Sequence, residues 1–295
     1  MNSFEVDADD VTIAMTLHDP AIVNLGAPLL ITLHGGTYTS AYYAVAGSPV
    51  GSFNDVATRN GFPVLAIDRP GYGASGALDD DANTFHRQAE ILDAAIGKAL
   101  AEHPFRYVVL VAHSIGGMIA LEIAARHLAW PLVGVSATGM GARIPAGGAS
   151  EQLGSLQLSG IVDLPVEQRD AVMFGPPHTF LPPAQLEAHT SYAPTPFVEL
   201  VEAPTWARER LAIVGANVGV PVHNALAEFD ALWDSSAEAR EAFEDAFGGN
   251  ATAELAEGVG HSIDHHLRST EVHLRQLAFA LASTARAGAS GSTAS

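Results

Sequence analysis

The stretch Tyr107-Val-Val-Leu-Val-Ala-His-Ser-Ile-Gly-Gly-Met-Ile-Ala-Leu121 constrains this chain more than any other. An apolar run enters a corner of small residues that holds one serine, and a helical pattern follows. If Ser114 stands where a strand turns sharply into a helix, the positions two before and two after it have room only for small side chains. Ala112 and Gly116 occupy those positions, with Gly117 behind them. Val108 to Val111 is aliphatic throughout, as a strand buried on both faces should be. Met118, Leu121, Ile123 and Leu128 fall on or near one helical face, which predicts an amphipathic helix. Such a corner strains the serine backbone and exposes its hydroxyl. It also puts the Ile115 N–H at a helix start, where it can bind a developing oxyanion. An ordinary strand-turn-helix with an incidental serine is the competing reading.

The rest of the chain decides between the two. Phe4 to Leu17 alternates as an edge hairpin does. Pro28-Leu-Leu-Ile-Thr-Leu-His-Gly-Gly36 reads as a buried strand ending in glycines, which let the backbone approach a ligand and aim an N–H at it. The Gly36 N–H is the candidate second oxyanion donor, with Thr37 next in line. A helix is expected around 53–60 and a strand over 61–68. The loop Arg69-Pro-Gly-Tyr-Gly-Ala-Ser75 follows, and it lacks the spacing and lysine of a phosphate loop. Ser75 has neither a strand leading into it nor a helix directly after it, so it reads as a loop serine. A long helix over about 84–102 precedes the Ser114 stretch, and Trp130 to Ser136 is the next strand. Alternating strands and helices imply parallel strands with crossover helices, an α/β doubly wound sheet whose ligands gather at the strands' carboxyl ends. Residues 34–37, 68–75 and 113–116 all lie at such ends.

Between 140 and 218 the rhythm breaks into a proline-rich segment carrying Met173, Phe174, Phe180, Phe197 and Trp206. It reads as an inserted lid of short helices. The aromatics either line an acyl or ring pocket or pack the lid itself, the second being the simpler expectation. The sheet resumes over 220–226, a helix covers 236–247, a last strand covers 250–256, and a final helix runs to about 285. The expected organisation is a core of 1–139 and 219–286, a lid of 140–218, and a disordered low-complexity tail of 287–295.

Composition narrows the chemistry. Acidic residues number 33 against 14 basic ones, a formal charge of −19, which argues against nucleic acid, anionic membrane and polyanionic substrates. A small neutral molecule fits better, and the oligomeric state is left open. Apolar residues at 48% allow a large core. Cysteine is absent, so thiolate chemistry and disulfides are excluded. The acidic start Met1-Asn-Ser-Phe-Glu-Val-Asp7 lacks the features of a signal peptide, and a cytoplasmic location is the expectation.

A serine hydroxyl near neutral pH needs a histidine to take its proton and a carboxylate to orient that histidine. Asp230 lies just past a strand on Ala227-Glu-Phe-Asp230. His261 lies in Gly258-Val-Gly-His261 after the last strand, completing the order serine, acid, histidine. Glu228, Asp234 and Asp264 compete for the acid's role. Glu228 faces the other way by strand alternation, Asp234 comes later in the loop, and Asp264 is too close in sequence to His261. His113, beside the serine, should point to the opposite side, and His34 should bond within its own loop. Thirteen histidines, with His261, His265 and His266 together, invite a metal reading. No Glu or Cys completes a known zinc pattern, and no metal or other cofactor is expected.

Together, Leu33-His-Gly-Gly36, Asp68 to Ser75, Ala112-His-Ser-Ile-Gly-Gly117, Ala227 to Asp230 and Gly258 to His261 resemble the α/β-hydrolase superfamily, in its lipase- and esterase-like branch. The resemblance spans about residues 25–282 and leaves the lid unmatched. It implies an eight-stranded, mostly parallel sheet and a Ser114–His261–Asp230 triad. It also implies an oxyanion hole from the N–H groups of Ile115 and Gly36. Ala112 replaces a commoner glycine, and the loop is His-Gly-Gly-Thr instead of the longer triple-glycine form. Serine at the corner argues against the epoxide hydrolases and haloalkane dehalogenases of this fold, which carry aspartate there. The expected activity is hydrolysis of an ester, lactone or thioester of a small, fairly apolar molecule. A carbon–carbon bond hydrolase, a perhydrolase or an acyl transferase or cyclase would use the same triad, and a small-molecule receptor would use the fold without chemistry.

Overall fold

The computed structural model describes residues 1–149 and 159–292. Strands β1 (Asn2–Ala8) and β2 (Val11–His18) pair antiparallel across Asp9 and Asp10. Both turn residues have positive φ, as the tightest hairpins require. The chain continues through β3 (Leu29–Leu33), α1 (Phe53–Arg59), β4 (Val64–Ile67), α2 (Phe85–Glu102), β5 (Val108–His113), α3 (Ile115–Ala124) and β6 (Leu132–Thr138). A segment of short elements follows: β7 (Ile161–Val162), α4 (Val166–Met173), α5 (Pro182–Ala188), β8 (Thr195–Pro196), α6 (Phe197–Glu209) and α7 (Leu211–Gly215). Then come β9 (Val222–Phe229), α8 (Ala237–Asp245), β10 (Ala251–Gly260) and α9 (Ser269–Ser292).

Eight strands form one sheet in the order β1-β2-β4-β3-β5-β6-β9-β10. From β4 to β10 every neighbour is parallel, and β2 joins β4 antiparallel. Apolar runs without alternation make sense here because both faces are covered. Ile31, Leu33, Leu110 and Ala112 join one core with α2 and α3, whereas Leu30, Val64, Val109 and Val111 join a second with α1 and α9. The parallel register places the ends of β3, β5, β6, β9 and β10 along one rim.

Two expectations change. The amphipathic α3 is buried at every position, because α2 covers one flank and α6 and α7 pack on the rest. Leu128 lies beyond its end. The tail expected from 287 continues α9 to Ser292, and residues 293–295 lie outside the described residues. Extending a formed helix adds a hydrogen bond per residue at no nucleation cost, and Ala287 leans on the second core. Of the expected lid, 150–158 also lie outside the described residues.

Candidate active site

The corner after β5 is as tight as its small residues demand. Ser114 sits at φ 52° and ψ −123°, a strained conformation for a residue with a side chain. Its N–H donates to Thr138 O at 2.7 Å, which anchors the corner to β6. A Cβ on Gly116 would lie 2.3 Å from Leu33 O and 2.4 Å from His34 O, so only glycine lets α3 leave this close to β3.

His261 arrives from the far edge of the sheet. The β9–β10 register shifts between Ala256 and Gly260, and this irregularity carries the chain end inward, so His261 is 1% exposed. Its Nε2 lies 3.1 Å from Ser114 Oγ, and its Nδ1 lies 3.1 and 3.0 Å from the two Asp230 oxygens. A carboxylate only accepts, so Nδ1 carries the proton and Nε2 presents its lone pair to the hydroxyl. Asp230 follows the end of β9, and its Oδ1 also accepts from the N–H groups of Leu232 at 2.8 Å and Trp233 at 3.0 Å. Those bonds hold the carboxylate in place while it is shut off from solvent.

The competing acids are engaged elsewhere. Glu228 accepts from Gly258 N–H, Asp234 from Ser236 N–H, and Asp264 from His273. Ser75 donates to Asp68 O and accepts from Ala14 N–H, which makes it a loop brace. His113 is buried beside the site, with its ring 5.0 Å from that of His261 and stacked on Tyr42. Burial, and then the proximity of His261, hold its pKa well below the ordinary value and keep it neutral.

The N–H groups of Gly36 and Ile115 find no acceptor among the described residues. Gly36, Thr37, Ser114 and Ile115 border a cavity of about 50 Å³. Its other walls are Met118, Met173, Leu200, Ala203, Pro204, Leu232 and Trp233, all apolar. Of the large apolar residues expected in the lid, only Met173 reaches this cavity. Phe174 and Phe180 pack on each other and on His266, and Trp206 donates to buried Glu122.

One part of the site escaped the sequence. Arg69 is fully buried and forms a two-pronged ion pair with Glu199 of α6, while its guanidinium also bonds His34 O and Gly35 O. Glu199 stands in Phe197-Val-Glu-Leu-Val-Glu202, where a glutamate reads locally as a solvent-facing helix residue. No local signal marks it. His265 and His266 are both buried, which pushes their pKa down to about 4, and each bonds backbone. Among the described residues no group of His, Asp and Glu is placed to hold a metal ion. No helix among them is long and apolar enough to cross a membrane.

A family model described as the alpha/beta hydrolase family matches residues 30–273. The chain belongs to the alpha/beta hydrolase family. Within it, 98 residues are 28% identical to a probable lysophospholipase, BODYGUARD 2, of Arabidopsis thaliana, covering 33% of this chain and 20% of that one. A putative non-heme haloperoxidase of Mycobacterium phage D29 is 32% identical over 108 residues, covering 36% of this chain and 33% of the phage protein. The matched stretches thus span a fifth to a third of the relatives' lengths. Among solved structures, an esterase from Exiguobacterium antarcticum superposes with a TM-score of 0.70 at 14% identity, covering 95% and 99% of the two chains. A putative aryl esterase from Burkholderia cenocepacia gives 0.65 at 16% identity, covering 96% and 100%. At such identities the likeness is one of fold.

Proposed function

We propose that this alpha/beta hydrolase is a serine hydrolase that cleaves a carboxylic ester, lactone or thioester of a small, fairly apolar molecule. The hydrogen-bonded chain from Asp230 through His261 to Ser114, on a strained corner beneath an apolar cavity, carries this reading. Ser114 Oγ attacks the carbonyl carbon as His261 Nε2 takes its proton, and Asp230 stabilises the imidazolium that forms. The Ile115 and Gly36 N–H groups receive the oxyanion. His261 then protonates the leaving alkoxide or thiolate, leaving an acyl group on Ser114. Water, deprotonated by the same histidine, attacks that acyl group and frees the acid. No step calls on a cofactor.

The cavity favours a small apolar moiety against the serine, since among the described residues lining it the polar side-chain groups are the Ser114 and Thr37 hydroxyls and the Trp233 indole N–H. The esterase folds among its structural neighbours agree with this reading. Wild-type and Ser114→Ala protein should be compared on p-nitrophenyl acetate and butyrate, with fluorophosphonate labelling of Ser114. Wild-type turnover by the alanine variant sinks the proposal. The partial match to a putative haloperoxidase favours one second reading, transfer of the acyl group to hydrogen peroxide. Peracid formation in competition with hydrolysis tests it.

A further inference from the structure

The peptide between Gly35 and Gly36 is gripped from one side. Gly35 O accepts from His34 Nδ1 at 2.8 Å and from Arg69 Nη2 at 3.2 Å. The preceding carbonyl, His34 O, accepts from Arg69 Nε at 2.9 Å, and His34 Nε2 accepts from the Arg69 backbone N–H at 3.1 Å. Two consecutive carbonyls of the loop are therefore fixed by one guanidinium. A trans peptide is planar, with its C=O and N–H pointing in opposite directions. Holding Gly35 O toward Arg69 turns the Gly36 N–H away from the guanidinium, and Gly36 itself borders the cavity with Ser114. A cation on the carbonyl also polarises that peptide and strengthens its N–H as a donor.

Arg69 itself is held by α2 and by α6. Its remaining donors go to Gln88 Oε1 at 2.8 Å and to both oxygens of Glu199, at 3.1 and 3.0 Å. Glu199 further accepts from Gln88 Nε2 at 2.6 Å and from the Tyr72 hydroxyl at 2.7 Å. Arg69 and Glu199 have no solvent exposure, and every N–H of the guanidinium has a partner. A charge pair this dry persists only when both members are present and bonded. Leu200, the next residue of α6, is a wall of the cavity.

We propose that Arg69 is a positioning residue that aims the Gly36 N–H at the developing oxyanion, and that Glu199 makes this aim conditional on α6 being seated over the cavity. The inference rests on the serine-hydrolase reading. Seating the helix encloses substrate and completes the oxyanion hole in one movement, because the same turn of α6 supplies Glu199 to the ion pair and Leu200 to the cavity.

The experiment uses the full chain, with p-nitrophenyl acetate as substrate and a trifluoromethyl ketone as the tetrahedral analogue. Breaking the pair from one side strands a buried charge, so Arg69→Met with Glu199→Leu is the decisive double variant. An apolar replacement of both members leaves neither charge buried without its partner while removing the grip on Gly35 O. Its kcat is expected to fall by roughly 10- to 100-fold with KM changed by less than about threefold, as when an oxyanion donor is lost or misaimed. Affinity for the ketone should fall by the same factor as kcat/KM. Glu199→Gln keeps the volume and one accepting oxygen, and its kcat should fall by about 3- to 10-fold. It carries the decision if the double variant does not fold. A folded variant with wild-type kcat, or a loss confined to KM with ketone affinity unchanged, overturns the inference. Ser114→Ala in the same assay separates the two proposals. If it is inactive while the Arg69 and Glu199 variants are unimpaired, only the positioning role fails, whereas wild-type turnover by Ser114→Ala removes the hydrolase reading itself.

Discussion

Two histidine–aspartate pairs sit close together in this fold with nearly the same contact. His261 meets Asp230 at 3.0 Å and His273 meets Asp264 at 2.9 Å, and all four side chains are buried. What differs is where each imidazole's second nitrogen goes. His261 Nε2 reaches Ser114 Oγ beside a cavity, whereas His273 Nδ1 has no hydrogen bond among the described residues and its ring stands edge-on to Phe53. Burial alone would raise the Asp264 carboxyl, but the hydrogen bond and proximity of His273 more than offset it and leave its pKa below the ordinary value. The second pair thus ties the turn at Ile263–His265 to α9, while the first links the end of β9 to the serine corner. A buried histidine–aspartate pair is chemically informative only through what its free nitrogen touches.

Substitution of the two histidines should separate the pairs most sharply. His261→Ala should lower kcat on p-nitrophenyl acetate by roughly 10⁵-fold or more. His273→Ala leaves Asp264 buried without its partner, so it should cost about 3–5 kcal/mol in a urea titration while kcat stays within about tenfold at a temperature where the protein is folded. Equal losses of kcat would erase the distinction. The acids give the next contrast. Asp230→Asn should reduce kcat by about 10⁴-fold by favouring the wrong imidazole tautomer, with Asp264→Asn affecting stability in preference to rate.

Acid should attack the region around the second pair first. Burial holds His265 and His266 at about 4, and it holds His34 and His113 well below the ordinary value. The unfolded chain therefore takes up protons before the folded one as pH falls. Stability is full above the unfolded value of 6.5 and is lost progressively from there toward about pH 4. His265 and His266 should each contribute up to about 3 kcal/mol of that loss. His266 has a direct structural stake, because its Nε2 accepts from the N–H groups of Gly175 and Gly260, and a proton there would break both bonds. Urea midpoints at pH 7 and pH 5 check this, and His265→Gln should flatten the difference. An unchanged midpoint refutes it.

Smaller effects probe the walls of the proposed site. Gly116→Ala drives a methyl against Leu33 O and His34 O and should cost about 1–3 kcal/mol with a drop in kcat, since the same loop carries Gly36. Leu200→Ala widens the cavity and should shift preference from acetate toward the longer butyrate by at least about 10-fold, the low end of what a single methylene commands in an apolar pocket. A preference that does not move would place the acyl group elsewhere.

Much of the frame was legible because it rests on local rules. Apolar runs such as Val108 to Val111, with helical spacing between them, imply a doubly wound sheet, and small residues at 112 and 116 imply a sharp corner at Ser114. Asp230 and His261 stood out by their order and by lying just past strands. The covering of α3 was not legible, because its own periodicity cannot reveal that α6 and α7 pack on its outer face. Nor was the wall of the cavity: the segment's aromatics are expected to pack the lid itself, and nothing in the sequence points to Leu200, Ala203 and Pro204 as the residues that border the cavity.

By itself, then, the sequence determined the order of strands and helices, the tightness of the corner and which residue types stand at the rim. Each of these follows from backbone sterics and short-range patterning. Only the tertiary structure decided that Glu199 reaches Arg69 across 130 residues, that His261 lies over Ser114 across 147, and that the cavity bordered by Ser114 is small and apolar. Those outcomes depend on which distant surfaces bury one another, and no local pattern encodes that.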